Sequence, residues 1–452
     1  MRILHYFLGF PPYRTGGLTK YSFDLMKAQV ERGDNVLALW PGMMLPVFDK
    51  VYIRRKRSVE GIHNFELVNP LPVSLDEGIT DFGAYTKSCC DAVFIDFLEQ
   101  EKPDVIHIHT LMGLYKEFVL AANKMGIRTV FTTHDYFGIC PKVTLYKYGK
   151  ACDEDSNCAD CITCNITALS LNKIRIMQSP IYRCMKNFLI VKMLRKKHRG
   201  NFFADEKAPE LVVTDNEISV KAMSYQKLRA YYIDILEKID CIHFNSSVSE
   251  GVYKKYMVPK NSVVMTITHK SIKDNRRVHT RKAGTKLKIT SLAPAKPFKG
   301  FVVLQTALDE LWESGKRDFE LKLFSPVQNP RPYMKIQENG FCYSELGSIL
   351  NDTDVLVAPS IWYETFGFTV LEAISYGVPV IVSDHVGAKD IVGEGGIVVK
   401  AGNAEELKNA LNEFCPQKFY EKLLKNVNIK QWSEFVQENY CLYREAKDEF
   451  IM

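Results

Sequence analysis

Two glutamates stand eight residues apart around a Phe-Gly-Phe turn in the stretch WYETFGFTVLE, residues 362–372. The apolar run DVLVAPS before it reads as a strand. TVLEAISYG after it reads as a helix closed by Gly377, and Val378-Pro379 then opens a further strand, PVIVSD. Glu364 therefore falls in the loop at a strand's C-terminal end, and Glu372 in the first turns of the following helix. A helix N-terminus carries unpaired amides and a partial positive charge, which suits a phosphate or diphosphate. A carboxylate on either side of such an anion can hold hydroxyl groups, and a nucleoside diphosphate sugar has that layout, with ribose on one side and hexose on the other. Taken alone, the spacing equally describes a solvated loop glutamate and a helix-dipole partner.

Other residues carry chemistry of their own. His134-Asp135 ends the strand TVFTT, on an edge that faces a cleft. His107 and His109 are two apart on the strand DVIHIHT and so share one face; His109 reaches the strand end, where either a structural place or one on the acceptor side, together with Asp135, is open to it. Five of the twelve cysteines cluster as Cys140, Cys152, Cys158, Cys161 and Cys164. The Cys-x2-Cys-x2-Cys run favours metal thiolates over disulfides in a reducing compartment. Cys140, Cys152, Cys158 and Cys161 form the expected tetrad of a structural zinc site with Cys164 as alternate; buried free thiols or an iron–sulfur cluster are the competing readings.

The elements that must position these residues form two series. MRILHYFLGF reads as a strand, PPYRTGG as a glycine-rich turn, LTKYSFDLMKAQVERG as a helix and NVLALWPG as a second strand. This unit predicts a parallel sheet with ligands at its C-terminal strand ends. A second alternating series opens at KLKITSLAP. The expected organisation is an N-terminal Rossmann-like, acceptor-side domain over 1–270 with a Cys-rich and basic insertion at about 140–235. A C-terminal Rossmann-like nucleotide-sugar domain follows over 285–430, and a tail helix over 431–452 returns to the first domain.

At 452 residues, 46% hydrophobic and 25% charged, the composition is that of a globular chain with two cores. No apolar run reaches the roughly 18 residues of a membrane helix. The short apolar start runs into Pro11-Pro12 and reads as a buried strand, which places the chain in the cytoplasm. The net charge of +6 is mild, but residues 173–199 hold Lys and Arg without Asp or Glu, interleaved with apolar residues. That is the make-up of a helix on the inner face of an anionic membrane, or of an ordinary solvated basic face. No recognition motif accompanies it, so nucleic acid is not an expected partner.

SIWYETFGFTVLEAISYGVPVIVSD resembles the signature of family 4 retaining glycosyltransferases of the two-domain GT-B fold, a Glu, seven residues and a second Glu before a small-residue helix. The resemblance implies that Glu364 contacts the donor sugar, that Glu372 binds the ribose, and that the backbone of Phe366, Gly367 and Phe368 approaches sugar and phosphates. FPPYRTGGLTKY resembles the family's glycine loop, which gives Gly16 and Gly17 a place by the diphosphate, and LAPAKPFKGF its Lys-Gly loop, which gives Lys299 the leaving group. Where the family carries an Arg before that lysine, this chain has Leu292, Ala293 and Pro294, leaving Lys296 as the second cation. His134 matches the histidine beside the donor sugar. HDYFGICPK with its spaced cysteines resembles a subgroup with a cysteine-containing insertion. The implied activity is transfer of a hexose from a nucleoside diphosphate sugar to a polysaccharide or lipid-linked acceptor, with retention and with no catalytic cofactor. A silent paralogue scaffolding a partner transferase and a sugar-nucleotide epimerase are the alternatives.

Overall fold

The computed structural model describes all residues except 75–76, 154–156, 187, 190, 192, 194–214, 278–283 and 445–452, and the side chains of 215–218. Its first sheet contains β1 (Arg2–Tyr6), β2 (Asn35–Pro41), β3 (Tyr52–Val59), β4 (Ile62–Val68), β5 (Val105–Ile108) and β6 (Arg128–Thr132). After the small separate hairpin of β7 (Tyr146–Lys147) and β8 (Lys150–Ala151), it gains β9 (Cys241–Phe244) and β10 (Ser262–Val264). The strand order is β10-β9-β6-β5-β1-β2-β4-β3. All pairs are parallel except β3 with β4, which are joined by a tight turn at Glu60-Gly61. Both turn residues have positive φ, 52° and 82°, the geometry that matches the twist of a two-residue hairpin.

The second sheet contains β11 (Leu287–Ser291), β12 (Phe319–Leu323), β13 (Met334–Ile336), β14 (Val355–Ala358), β15 (Val380–Ser383) and β16 (Gly396–Val399). Its order, β13-β12-β11-β14-β15-β16, is parallel throughout. The central strands β5, β9, β14 and β15 are buried along their whole length, as strands covered on both faces must be, which is why they read as near-continuous apolar runs. The architecture is two Rossmann-like α/β domains facing across a cleft. In each sheet the strand order reverses beside an early strand, between β1 and β5 in the first and between β11 and β14 in the second. Ligands bind at such switch points, beyond the C-terminal strand ends.

One apolar cluster spans the domains. Tyr21 and Leu25 of the first pack with Phe366 and Val370 of the second and with Phe435 and Tyr440 of the C-terminal helix Trp432–Tyr443. That helix packs back on the first domain, where Arg128 Nε donates to the Leu442 carbonyl at 2.9 Å and Tyr440 OH donates to Asp34.

One reading is corrected. The basic stretch is not one helix: the chain forms Leu171–Met177 and Pro180–Met185, broken where Pro180 cannot continue the first and Ser179 Oγ caps the second by accepting from Tyr182 N. The remainder of 173–199 lies largely outside the described residues. Towards the end of the insertion, Asp215–Leu236 forms a 22-residue helix. Among the described residues no helix is long and apolar enough to cross a membrane.

Candidate active site

The loop after β11 turns through a short 3-10 helix, Pro297–Lys299, and ends at Gly300 with φ 77°. A Cβ there would stand 1.9 Å from the Pro359 carbonyl oxygen. Only glycine lets this loop lie against the end of β14. The contact carries Lys299 to the Glu364 loop: Lys299 Nζ donates to Glu364 Oε1 at 2.8 Å and lies 4.6 Å from the centre of the Trp362 ring. Ser360 Oγ donates to the other carboxylate oxygen at 2.9 Å. The Glu364 backbone is fixed as well, its N–H on the His385 carbonyl and its carbonyl on the Gly387 N–H, each at 2.9 Å. Burial alone would raise the Glu364 pKa, but the Lys299 charge and the hydrogen bonds outweigh it and hold the carboxyl below its usual range.

Gly367, at φ 102°, caps the helix Phe368–Ser375. Opposite it, Gly16 at φ 120° caps the helix Gly17–Glu31. A Cβ on Gly17 would lie 3.7 Å from the Phe368 ring. The glycine turn after β1 and the helix N-terminus after β14 thus meet across the cleft, each followed by the unpaired first-turn amides of its helix. Glu372, on the same helix, is buried with Oε1 3.4 Å from His269 Nε2, away from the Lys299–Glu364 pair. Leu292, in the stretch where the family's arginine is missing, is buried in the apolar cluster, and the half-buried Lys296 caps the turn that carries Lys299.

His134 follows β6. Its carbonyl accepts from Thr365 Oγ1 at 3.1 Å, so the histidine loop and the Glu364 loop are tied across the domain boundary. Ser246 Oγ adds a second tie by donating to the Thr365 carbonyl at 2.5 Å. Asp135 faces its own turn, with Oδ1 accepting from Phe137 N at 2.9 Å. Burial pushes its pKa up to about 6.

Sequence reasoning missed what stands behind His134. His5, His107 and His109 share one face of β1 and β5 and are buried; with His243 on β9, Thr132, Gln29 and Tyr443 they form one chain of hydrogen bonds. Burial lowers the pKa of His5 to about 4, of His134 to about 3 and of His243 to about 4, and takes His107 and His109 well below 6.5, so all are neutral near pH 7.

Neutrality and one fixed acceptor then set every proton. The Met265 carbonyl must accept, so His243 donates from Nε2 at 2.7 Å and accepts at Nδ1 from the Thr132 hydroxyl at 2.9 Å. Thr132 must in turn accept from His107 Nε2 at 2.7 Å, and His107 Nδ1 from Tyr443 OH at 2.8 Å. Tyr443 accepts from Gln29 Nε2 at 3.0 Å, and Gln29 Oε1 from His5 Nε2 at 2.7 Å. His5 Nδ1 accepts from His109 Nε2 at 2.9 Å, and His109 Nδ1 from His134 Nε2 at 3.3 Å. His134 is left with Nδ1 as an acceptor.

Tyr443→Phe would leave both His107 Nδ1 and Gln29 Nε2 buried without a partner. Chemical denaturation is expected to show a loss of about 1–3 kcal/mol, and an unchanged unfolding midpoint would contradict the chain. The signal in the sequence was a histidine inside each of three apolar strands, RILHYF, VIHIHT and CIHF.

The five cysteines line one pocket of about 30 Å³ together with Lys147, Asp160 and Arg229, room for an ion or one or two waters. Yet among the described residues only His5, His107 and His109 bring three donor atoms within 4.8 Å of one another. The expected thiolate tetrad is gathered around one space without being closed to ligand distances. The chemistry of the donor set fits zinc and its spacing does not. A hydrogen bond with Cys158 and burial raise the Cys161 thiol, and burial raises Cys164 to about 12.

Residues 15–165 match the model of Glycosyltransferase Family 4, and residues 272–429 that of Glycosyl transferases group 1. No curated protein sequence matches the chain. Among solved structures, it is similar to the sucrose-phosphate synthase of Thermosynechococcus elongatus, at 15% identity and TM-score 0.54 over 98% of each chain. A UDP-forming α,α-trehalose-phosphate synthase of Burkholderia xenovorans, in complex with glucose-6-phosphate, aligns at 10% identity and TM-score 0.57 over 98% of this chain and 100% of that one. HepE of Anabaena, in complex with UDP and glucose, aligns at 13% and 0.52 over 98% and 100%. With a family 4 domain before the crossing into the second sheet and a group 1 domain after it, the chain is a glycosyltransferase of the GT-B type.

Proposed function

We propose that this glycosyltransferase moves a hexose, with retention of configuration, from a nucleoside diphosphate sugar to an acceptor hydroxyl in polysaccharide or glycolipid assembly. One observation carries the reading: the glycine turn after β1 and the Phe368 helix N-terminus face each other beside the Lys299–Glu364 pair. Backbone amides from both domains and the Lys299 ammonium would surround the diphosphate. Negative charge grows on its outer oxygen as the bond to the sugar lengthens, and fixed donors aimed there lower the barrier.

The diphosphate would draw Lys299 from Glu364, freeing the carboxylate to grip sugar hydroxyls. His134 Nδ1, an acceptor, would take a hydrogen bond from another hydroxyl, and Glu372 would hold the ribose. The acceptor oxygen enters from the face the diphosphate leaves and passes its proton to the departing phosphate oxygen. UDP, which HepE binds, is the first nucleotide to try. Purified protein is expected to hydrolyse its donor slowly and the Glu364→Ala variant not to. Release of a new sugar nucleotide instead would mark an epimerase, and no turnover of any donor a silent scaffold.

We also propose that Cys140, Cys152, Cys158 and Cys161 would hold a structural zinc, which would crosslink the insertion, whose Tyr146 ring meets Phe298 beside Lys299 at 6.0 Å. Elemental analysis of protein purified without chelator is expected to give about one equivalent, the occupancy of a structural site. Less than about half an equivalent would contradict it.

A further inference from the structure

A cavity of about 740 Å³ borders the helix pair Leu171–Met177 and Pro180–Met185. Its inner wall comes from the C-terminal ends of β2 and β4, through Leu45, Asn69 and Leu71, and from Tyr115; its outer wall comes from the helix pair. The walls are fastened to each other. Gln178, between the helices, accepts from Val73 N at its side-chain oxygen at 2.8 Å and from Met44 N at its carbonyl at 3.1 Å, so the space is preformed.

The mouth is apolar. Ile176 is 62% exposed, Ile181 66% and Met185 43%, and all three line the cavity. Phe188 and Leu189 stand exposed just beyond. Two cations, Lys87 and Arg175, and one anion, Asp49, also line it. Lys87 lies 4.0 Å from Asp49, while Arg175 is exposed and has no ion pair with a described residue. Residues 173–199 carry nine Lys or Arg and no Asp or Glu.

The cavity is a near neighbour of the donor site. Pro180–Met185 presents Ser179 and Tyr182 to it and, from its other side, lays Arg183 4.2 Å from the centre of the Tyr13 ring. Tyr13 belongs to the glycine turn that carries Gly16 and Gly17. One helix width, about 10 Å, therefore separates the cavity from the diphosphate loop.

We infer that this cavity holds the acceptor, and that the acceptor is a lipid-borne phosphate or diphosphate: an apolar chain in the cavity, its anionic linker at Arg175, its terminal sugar hydroxyl reaching the cleft. An apolar mouth with the exposed Arg175 at it fits a chain drawn from an anionic membrane surface, whereas a soluble polysaccharide would have no use for it. The inference deepens the transferase reading and rests on it.

Dodecyl phosphate, titrated below its micelle-forming concentration, is the probe. It is expected to bind at least ten-fold tighter than either dodecyl maltoside or inorganic phosphate. The double variant Ile176→Glu, Ile181→Glu, altered only at exposed side chains, should weaken it at least ten-fold with the melting temperature unchanged. Arg175→Ala should abolish the preference for phosphate over maltoside. Absence of binding, or equal binding by wild type and the double variant, overturns the inference and leaves a polysaccharide acceptor. A nucleoside diphosphate titrated into the same protein separates the two levels. If it binds while dodecyl phosphate does not, only the acceptor assignment falls; if neither binds, the transferase reading falls too.

Discussion

Lys299→Ala lowers kcat by about 10²- to 10³-fold, the loss expected when one fixed charge donor is withdrawn from a developing oxyanion. It also moves the acid limb of the pH–rate profile upward. In the native protein burial pushes Glu364 toward protonation, and Lys299, with the hydrogen bonds, reverses that and holds its pKa below the ordinary glutamate value. With Lys299 gone, the burial that remains raises Glu364, and the carboxylate protonates within the range where the native enzyme is still ionised. Both changes are read from kcat and kcat/KM between pH 4 and 8. A rise in KM alone with an unmoved acid limb would mean that Lys299 is a binding residue without electrostatic control of Glu364. Stability follows the same sign. Because the folded pKa is depressed, the pair stabilises the fold above about pH 4.5, and the contribution fades as pH falls through the lower folded value.

The buried histidines predict a larger effect on the fold. Their folded pKa values lie below the unfolded value near 6.5, so the unfolded chain binds more protons, and stability falls with pH below 6.5. Each neutral histidine costs about 1 kcal/mol over the first pH unit below 6.5, and the slope approaches about 1.4 kcal/mol per unit further down. His5, His107, His109 and His243, all at most 1% exposed, together cost about 4 kcal/mol between pH 6.5 and 5.5. That is close to the lower end of the whole stability of an ordinary domain, about 5–15 kcal/mol. The melting temperature of the first domain should therefore be nearly flat from pH 8 to 7 and fall by at least about 10 °C between pH 6.5 and 5.5. A melting temperature that stays level to pH 5 would mean that the histidines are hydrated or charged in the folded state.

Much of this site could be read from local sequence because its parts sit next to turns. Gly16, Gly300 and Gly367 each follow a strand pattern, and each is a glycine because the backbone there has positive φ. Lys299 and Glu364 lie one loop each from a switch-point strand, so their neighbourhood followed from the order of strands.

What escaped notice depends on register between strands far apart in sequence. His5 meets His107 because β1 and β5 pair directly, and Thr132 meets His243 because β6 and β9 do. Tyr443 joins them only because the last helix returns over the first domain. The β3–β4 hairpin escaped because its turn is Glu-Gly and its first strand, YIRRKRSV, is basic and largely exposed. The break in the basic stretch was marked by Ser179-Pro180 but was masked by the run of positive charge on either side. The cysteine spacing did gather five thiols around one pocket, while spacing alone cannot set the distances among them.

Central to the account is a cleft that neutralises two phosphates with amides from both domains and one lysine. Calorimetric titration of UDP against UMP, repeated with the guanosine and thymidine pairs, reads that property directly. For the nucleotide the protein uses, the diphosphate should bind at least about ten-fold more tightly than the monophosphate, a difference of about 1.4 kcal/mol. Equal affinity for mono- and diphosphate in every pair would show that no second phosphate is held between Gly17 and Lys299, and would contradict the account.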